Sequence, residues 1–346
     1  MRRLSAALLL AALLLTACSR APQLHQREAF VFGTRVEVSV WGESADKAAQ
    51  ALAAVLAEFD RLHRLLHAWQ PSELTTLNEA IARGERDIAV SPELTFILQG
   101  TAAIAAQSDQ LFNPSIGGLV ALWGFHSDEF KPLVPDPAAL EAMVKARPRM
   151  TDLAIADNRV SSANRSVQLD LGGYAKGYAL DRAAAILRET GVRNALINIG
   201  GNVMALGDKG GQPWRVGIQH PRTAAPLATL ELHDGEAVGT SGDYQRYFEV
   251  GGRRYCHLLD PRSGRPAEGA QAVTVLITPR ADTGALSDAA SKPLFIAGAG
   301  EWRGLAQRLG VTHALRIDEK GVMHVTAPFR QRLTILASDL TIGSEP

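Results

Sequence analysis

The chain has 346 residues, with 36 basic and 36 acidic side chains and a formal net charge of zero. It contains no basic tract interleaved with aromatic residues, which argues against nucleic acid as a partner. Its two cysteines, Cys18 and Cys256, exclude a disulfide framework. The length is sufficient for one large domain or two interlocked domains with a substantial core.

The first eighteen residues have the pattern of an export signal that ends in a lipid attachment site. An apolar run over residues 6–15 follows two arginines, and it is shorter than the ~20 apolar residues that a transmembrane helix needs. The letters LTAC that end at Cys18 resemble a bacterial lipobox. We therefore expect residues 1–17 to be a signal peptide and an acylated Cys18 to tether the protein to a lipid bilayer through residues 18–28. The expected product is a periplasm-facing lipoprotein, and Ser19 favours the outer membrane.

Strands and helices alternate in the predicted N-terminal half. Valines alternate along residues 30–41, which predicts a strand. Ser44 has the position of a helix N-cap, and apolar residues then recur at helical spacing. A second helix is expected over residues 91–108, where a serine cap precedes a proline at the first helical position. Residues 167–190 predict a strand, a double-glycine turn and a helix.

Beyond residue 195 the pattern changes to short apolar runs separated by turn signals. This spacing favours antiparallel strands and hairpins over repeated βαβ units, so the predicted fold class is α+β. We expect one domain over residues 29–340. The predicted strands are residues 195–201, 214–220, 227–233, 236–240, 246–250, 272–278, 312–317, 321–326 and 332–336, and the predicted helices lie near 284–297 and 301–309.

Several common catalytic and binding motifs are absent from the sequence. There is no HExxH, HxH or cysteine pair, and His63 and His67, which share a helix face, lack a third ligand, so zinc is not favoured. No GxSxG elbow occurs. The glycine-rich segments at 171–178 and 197–207 fail the P-loop and the dinucleotide-binding patterns respectively. These tests leave an exported α+β protein with a glycine turn suited to an anion.

Seven segments nevertheless occur in an order that is known from one family. Read together, they resemble the ApbE family, the bacterial FAD:protein FMN transferases, over essentially residues 30–337. The segments are FGT (32–34), WQPSELTTLN (69–78), LFNPSIGGLVALWGF (111–125), LDLGGYAKGYALD (169–181), NALINIGGNV (194–203), GTSGDYQRYF (239–248) and YCHLLDPRSGRPA (255–267).

This resemblance implies an exported enzyme that binds FAD, cuts its pyrophosphate and attaches FMN by a phosphoester to a threonine of a partner protein, releasing AMP. A divalent cation, normally Mg²⁺, is implied at the diphosphate. The usual acceptors are subunits of membrane redox complexes. The implied fold is T-fold-related, with mixed sheets, packed helices and a largely antiparallel C-terminal half. Two alternatives remain open: a non-catalytic FAD carrier or assembly factor, and an FAD pyrophosphatase that yields FMN and AMP.

The resemblance also implies roles for the glycine turn and for one histidine. Asp170 and Lys176 match residues that contact FAD, and the backbone at Gly173 matches a position that helps to hold the metal. His257 matches the histidine that takes the proton of the acceptor hydroxyl, a task for which an imidazole is suited near neutral pH. Without the resemblance, a tight turn with a surface lysine and a structural histidine would be the favoured interpretation.

Other matching positions line the implied nucleotide site. Phe32 and Trp69 match residues at the flavin or adenine, although aromatic residues at such positions can equally belong to a core. Asn113 ends a segment whose backbone matches a nucleotide contact, and it stands where the family commonly has Asp. The remaining residues implied to bind the cofactor are Leu111, Phe112, Leu258 and Ser291.

One departure from the family pattern affects the implied metal site. In the segment SDAASKPLF (287–295), Asp288 matches a metal-binding aspartate, but Lys292 replaces a metal-binding threonine. A hard cation prefers oxygen ligands, and an ammonium group offers only donors. Lys292 could take the cation's place at the FAD diphosphate, swing aside so that Asp288 still binds a metal, or form an ordinary i, i+4 pair in an inactive site. Pro293 predicts a bend that moves Lys292 away from α geometry.

Overall fold

A computed structural model describes residues 22–127 and 132–343 of the chain. The predicted signal peptide and Cys18 lie outside the described residues. Within those two ranges, no helix is long and apolar enough to span a membrane.

The described ranges contain helices and strands in the mixture that the α+β prediction requires. The helices are α1 (Ala45–Leu66), α2 (Glu73–Arg83), α3 (Pro92–Gln107), α4 (Gly117–Leu122), α5 (Pro137–Ala146), α6 (Ala175–Glu189), α7 (Thr283–Ile296), α8 (Trp302–Arg308) and α9 (Ala327–Arg332). The strands of the N-terminal half are β1 (Leu24–Val31), β2 (Thr34–Trp41), β3 (Ile88–Ala89), β4 (Leu153–Ala156), β5 (Arg159–Ser162), β6 (Ala195–Ile199) and β7 (Asn202–Leu206). The strands of the C-terminal half are β8 (Trp214–Gln219), β9 (Pro226–Leu232), β10 (Ala237–Gly242), β11 (Tyr247–Val250), β12 (Arg253–Cys256), β13 (Leu259–Asp260), β14 (Arg265–Pro266), β15 (Ala270–Ile277), β16 (His313–Asp318), β17 (Val322–Val325), β18 (Leu333–Ile335) and β19 (Thr341–Ile342).

A nine-stranded sheet with the order β1-β2-β6-β7-β10-β15-β16-β17-β19 forms the centre of the fold. Its neighbouring strands are antiparallel except for β17 and β19, which are parallel. A second sheet has the order β18-β9-β8, and a third has the order β3-β5-β4. Apart from the parallel pair β17–β19, the strands of the C-terminal half form the antiparallel pairings that their spacing predicts.

The two faces of the central sheet are both buried. Along β15, Val273 and Val275 belong to a hydrophobic cluster shared with α1, α6 and α7, whereas Ala272 and Leu276 belong to one shared with β8 and β9. Because side chains alternate between the faces of a strand, burial on both faces explains why β15 has a nearly continuous apolar sequence. Helix α7, which carries Asp288 and Lys292, therefore packs on the sheet through one of these clusters.

The structure corrects the predicted start of the domain. Residues 30–41 do not form one strand: β1 and β2 form a hairpin whose turn contains Phe32 and Gly33, with φ of +56° and +67°. Two consecutive residues with positive φ are the mark of a type I′ turn, which joins twisted strands well. Because β1 begins at Leu24, part of the segment expected as a tether is paired with β2 instead.

A second correction concerns the segment before the double glycine. Residues 167–171 were expected to form a strand, but they make only one isolated parallel bridge, between Gln168 and Ile116. The helix caps are confirmed: Ser44 accepts a hydrogen bond from the backbone of Lys47, and Ser91 caps α3.

Candidate active site

Helices α6 and α7 touch each other through their backbones at a pair of glycines. A methyl group added at Gly177 would overlap the carbonyl oxygen of Gly284 and would lie 2.7 Å from Cβ of Asp288. A methyl group added at Gly284 would in turn overlap the carbonyl oxygen of Gly177. Only glycine allows this approach. The contact places Asp288 beside the first turn of α6.

Two carboxylates, one on each helix, fix the register of this crossing. Asp181 of α6 accepts hydrogen bonds from the backbone N–H groups of Gly284 (2.7 Å) and Ala285 (2.9 Å), at the start of α7. Asp288 of α7 accepts one from the N–H of Gly177 through Oδ2 (3.1 Å). Desolvation raises the pKa of Asp181 to about 7, although its two backbone hydrogen bonds oppose the rise.

Asp288 is also paired with two lysines. Nζ of Lys292 lies 2.6 Å from Oδ1 of Asp288 and donates to the Asp288 backbone carbonyl at 2.7 Å. Nζ of Lys176 lies 3.5 Å from Oδ2. The side chain of Asp288 is only 1% exposed, whereas those of Lys292 and Lys176 are 15% and 24% exposed. Burial acts to raise the pKa of Asp288, but the two ammonium groups outweigh it and hold that pKa below its usual value.

The double-glycine turn lies against this ion-pair cluster. Lys176 donates to the carbonyl of Gly172 (3.0 Å), whose N–H donates to Oδ1 of Asp170 (2.9 Å). A methyl group at Gly173 would lie 3.0 Å from Cε of Lys292 and 3.4 Å from the ring of Phe112. The structure therefore brings five predicted site residues together around Asp288, namely Phe112, Asp170, Gly173, Lys176 and Lys292.

His257 is a neutral histidine with a defined tautomer. Because the carbonyl of Arg246 can only accept, Nδ1 of His257 must be the donor in their 3.2 Å hydrogen bond, which leaves Nε2 as an acceptor. Desolvation lowers the pKa of His257 to about 3, and the positive charges of Arg246, Lys292 and Lys176 act in the same direction. The charges of both lysines in the cluster therefore act on the imidazole.

Two further predicted residues, Phe32 and Trp69, lie on either side of His63 and His67, and these four residues form an aromatic group. The ring of Phe32 meets the edge of His63 with a centroid distance of 5.7 Å, and His63 lies 5.0 Å from His67. The backbone N–H of Trp69 donates to Nδ1 of His67 at 3.1 Å. From the sequence the two histidines were considered only as zinc ligands, and their position between Phe32 and Trp69 was missed. Their spacing of four residues, followed closely by Trp69, was the available signal.

One short segment connects the aromatic group with His257. The ring of Trp69 lies 5.4 Å from His126, and the adjacent Phe125 lies 6.4 Å from the ring of His257. Arg246 donates to the carbonyl of Phe125 at 3.0 Å, which fixes this segment in place. The sequence did not predict a functional role for His126 or Arg246.

Two other predicted residues have structural partners. The side chain of Asn113 donates to the carbonyl of Pro148 (2.9 Å) and accepts from the N–H of Ser115 (3.0 Å). Ser291 is hydrogen-bonded to the hydroxyl of Ser241 at 2.7 Å. The remaining two, Leu111 and Leu258, are buried apolar residues.

The prediction that Pro293 moves Lys292 out of α geometry is wrong. Helix α7 includes both residues and continues to Ile296. Pro293 has no N–H to donate to the carbonyl of Ala289, but the helix continues through this position. The helical geometry gives Lys292 the i, i+4 position from which it reaches Asp288.

The donor set at Asp288 does not fit a divalent metal ion. Among the described residues, no group of three or more His, Cys, Asp or Glu side chains could hold a metal. Nζ of Lys292 already lies close to Oδ1 and the backbone oxygen of Asp288, and Lys176 lies near Oδ2. Mg²⁺ requires near-octahedral oxygen ligands and would meet these ammonium groups at the same carboxylate.

Two ammonium groups beside a glycine turn and a neutral histidine form a site with the chemistry that suits a phosphate ester. The chain belongs to the ApbE family, whose model matches residues 32–315. This result confirms the predicted family.

Relatives and solved structures agree with that assignment. The chain is 44% identical over 304 residues to an FAD:protein FMN transferase of Rhodobacter capsulatus, with 88% of this chain and 57% of the relative covered. It is 31% identical to the corresponding Salmonella typhimurium protein, with 79% and 81% covered. The chain thus spans little more than half the length of the Rhodobacter relative.

The predicted fold class is confirmed by comparison with solved structures. The ApbE protein of Thermotoga maritima superposes with a TM-score of 0.80 at 31% identity, covering 90% of this chain and 99% of the other. The flavinyl transferase ApbE of Pseudomonas stutzeri, in its apo form, superposes with a TM-score of 0.77 at 29% identity, covering 91% and 98%.

Proposed function

We propose that this protein transfers FMN from FAD to a threonine hydroxyl of a partner protein. The observation that carries the proposal is the cluster of Lys176, Asp288 and Lys292, whose ammonium groups act electrostatically on a neutral His257. Cationic donors stabilise a diphosphate, and a neutral imidazole can accept a proton. The names of the relatives support the same activity.

The proposed reaction is a phosphoryl transfer. The threonine oxygen attacks the phosphorus of the FMN half of FAD, and the bond between that phosphorus and the oxygen bridging to AMP breaks. FMN remains on the threonine as a phosphoester, and AMP leaves with the bridging oxygen. The hydroxyl proton passes to Nε2 of His257, which the hydrogen bond to Arg246 leaves as an acceptor. Positioning and electrostatic stabilisation supply most of the catalysis in such a reaction.

The proposed substrate site extends from the lysine cluster to the aromatic group. Phe32 and Trp69 offer ring surfaces for the flavin or the adenine, and the segment with Phe125 and His126 connects Trp69 to His257. Ring stacking favours planar heterocycles over other ligands. FAD, with a planar group on each side of its diphosphate, suits this arrangement.

The proposed acceptor is a flavoprotein subunit of a membrane redox complex. Acylation of Cys18 would hold the enzyme at the periplasm-facing surface of a bilayer, where such a subunit is exposed. The outer membrane is the location that Ser19 favours. Mass spectrometry of the purified lipoprotein would test the acylation, and an unmodified Cys18 would contradict the anchor.

The transfer is tested by incubating the protein with FAD and a threonine-containing acceptor domain. The proposal expects a gain of FMN on the acceptor and release of AMP. Free FMN with AMP would identify a pyrophosphatase instead, and intact bound FAD would identify a carrier. His257→Asn should abolish transfer while FAD still binds, and His233→Asn, an exposed histidine elsewhere, is the matched control.

A further inference from the structure

We propose that Lys292, together with Lys176, binds the diphosphate of the substrate and takes the place of a divalent cation. The protein would then bind FAD without metal. This inference rests on the proposed function, because it assigns the cation site of that same reaction.

The ammonium group of Lys292 is held against Asp288. Its Nζ lies 2.6 Å from Oδ1 and 2.7 Å from the backbone oxygen of Asp288, so it is held where oxygen ligands would hold a metal ion. The aliphatic part of the Lys292 side chain packs against Gly173. A methyl group added at Gly173 would lie 3.0 Å from Cε of Lys292. The ammonium is thus fixed at the glycine turn by two oxygens and by packing.

The ion pairs at Asp288 contain more ammonium groups than carboxylates. Lys176 and Lys292 set two ammonium groups against the one carboxylate of Asp288, and their side chains are only 24% and 15% exposed. A charge that is shielded from water is costly unless it is paired, so the site favours an anionic ligand. A diphosphate provides the missing negative charge.

The two lysines can donate hydrogen bonds to a ligand. An ammonium group has three N–H donors, and within the described residues Lys292 uses two of them on Asp288. Lys292 and Lys176 are partly exposed, at 15% and 24%, whereas Asp288 is not. A ligand that enters the site therefore meets the two lysines rather than the carboxylate. Lysine binds phosphate well as a point charge.

Binding of FAD to the purified full-length protein, followed by flavin fluorescence, tests the inference. The dissociation constant should be the same in excess Mg²⁺ and in EDTA. Lys292→Thr should weaken binding in EDTA by about tenfold or more, since a charge-assisted contact to phosphate is lost, and Mg²⁺ should restore it. Lys292→Arg keeps the charge and should stay metal-independent. The control Lys320→Thr removes an exposed lysine in a turn and should bind like the wild type.

Two results would overturn the inference: FAD binding by the wild type that is lost in EDTA, or an equal response of the wild type and Lys292→Thr to Mg²⁺. Inorganic pyrophosphate, titrated in the same buffers, separates this failure from failure of the proposed function. One outcome is that FAD does not bind, whereas pyrophosphate binds without metal and requires Lys292. In that case the proposed role of Lys292 is supported, and the proposal that FAD is the substrate is wrong. If neither ligand binds in either buffer, both are wrong.

Discussion

Gly177 and Gly284 pack against each other without side chains, and this contact sets Asp288 beside the start of α6. A methyl group at either position would overlap the other's carbonyl oxygen. The ion-pair cluster at Asp288 therefore depends on a contact between two helices that are far apart in the sequence.

Gly177→Ala should destabilise the protein, because the added methyl group meets backbone that cannot move without separating the helices. Forced overpacking of this kind costs about 1–3 kcal/mol in the free energy of unfolding. The matched control is Gly304→Ala in helix α8, where an added methyl group has no heavy atom within 4 Å. That variant should be more stable by about 0.5–1 kcal/mol. Urea denaturation of both variants measures the difference, and equal stabilities would contradict the close crossing.

Asp181 should make stability depend on pH. Its pKa is raised to about 7 in the folded state by desolvation, and that of an unfolded aspartate is about 4. The folded state therefore binds the proton more tightly, and the stability that this residue contributes is lost as the pH rises from about 4 to 7. Asp181→Asn should remove this slope.

Unfolding by urea at several pH values measures that slope. The control is Asp157→Asn, which changes an exposed aspartate in a turn. If Asp181→Asn and Asp157→Asn follow the same pH profile, the raised pKa of Asp181 is wrong.

The sequence predicted what depends on near neighbours. Ser44 and Ser91 were assigned as caps because a cap acts within one turn, and the antiparallel strands after residue 195 followed from their spacing. The hairpin at Phe32 was missed because alternation continues on both sides of a turn in which a phenylalanine adopts positive φ. The glycine crossing, the position of Arg246 and the link through His126 could not be predicted, because each depends on tertiary contacts.

Replacement of Asn113 by aspartate should lower the stability of the protein. Its side-chain N–H donates to the buried carbonyl of Pro148 at 2.9 Å, and a carboxylate cannot donate. Asn113→Asp should lower the free energy of unfolding by about 1–3 kcal/mol at neutral pH. The comparison is Asn158→Asp in an exposed turn, which should change it by less than about 0.5 kcal/mol. Equal effects of the two substitutions in thermal denaturation would show that the Pro148 contact is unimportant.

His257 should remain neutral over the working pH range. Because its pKa is lowered to about 3, chiefly by desolvation, its imidazole signals in an NMR titration should stay constant from about pH 8 to 5. The His257→Asn variant assigns the signals. A titration near the ordinary value for histidine, about 6.5, would mean that the imidazole is more hydrated than the structure indicates.

If the lysine ammonium groups supply the cation of the FMN transfer, the reaction needs no divalent metal ion. Intact-mass measurement of the acceptor domain after incubation with FAD tests it most directly, in parallel reactions with EDTA and with Mg²⁺. The wild type should attach FMN at the same rate in both buffers, and Lys292→Thr should do so only with Mg²⁺. Attachment by the wild type that occurs with Mg²⁺ and stops in EDTA would contradict it.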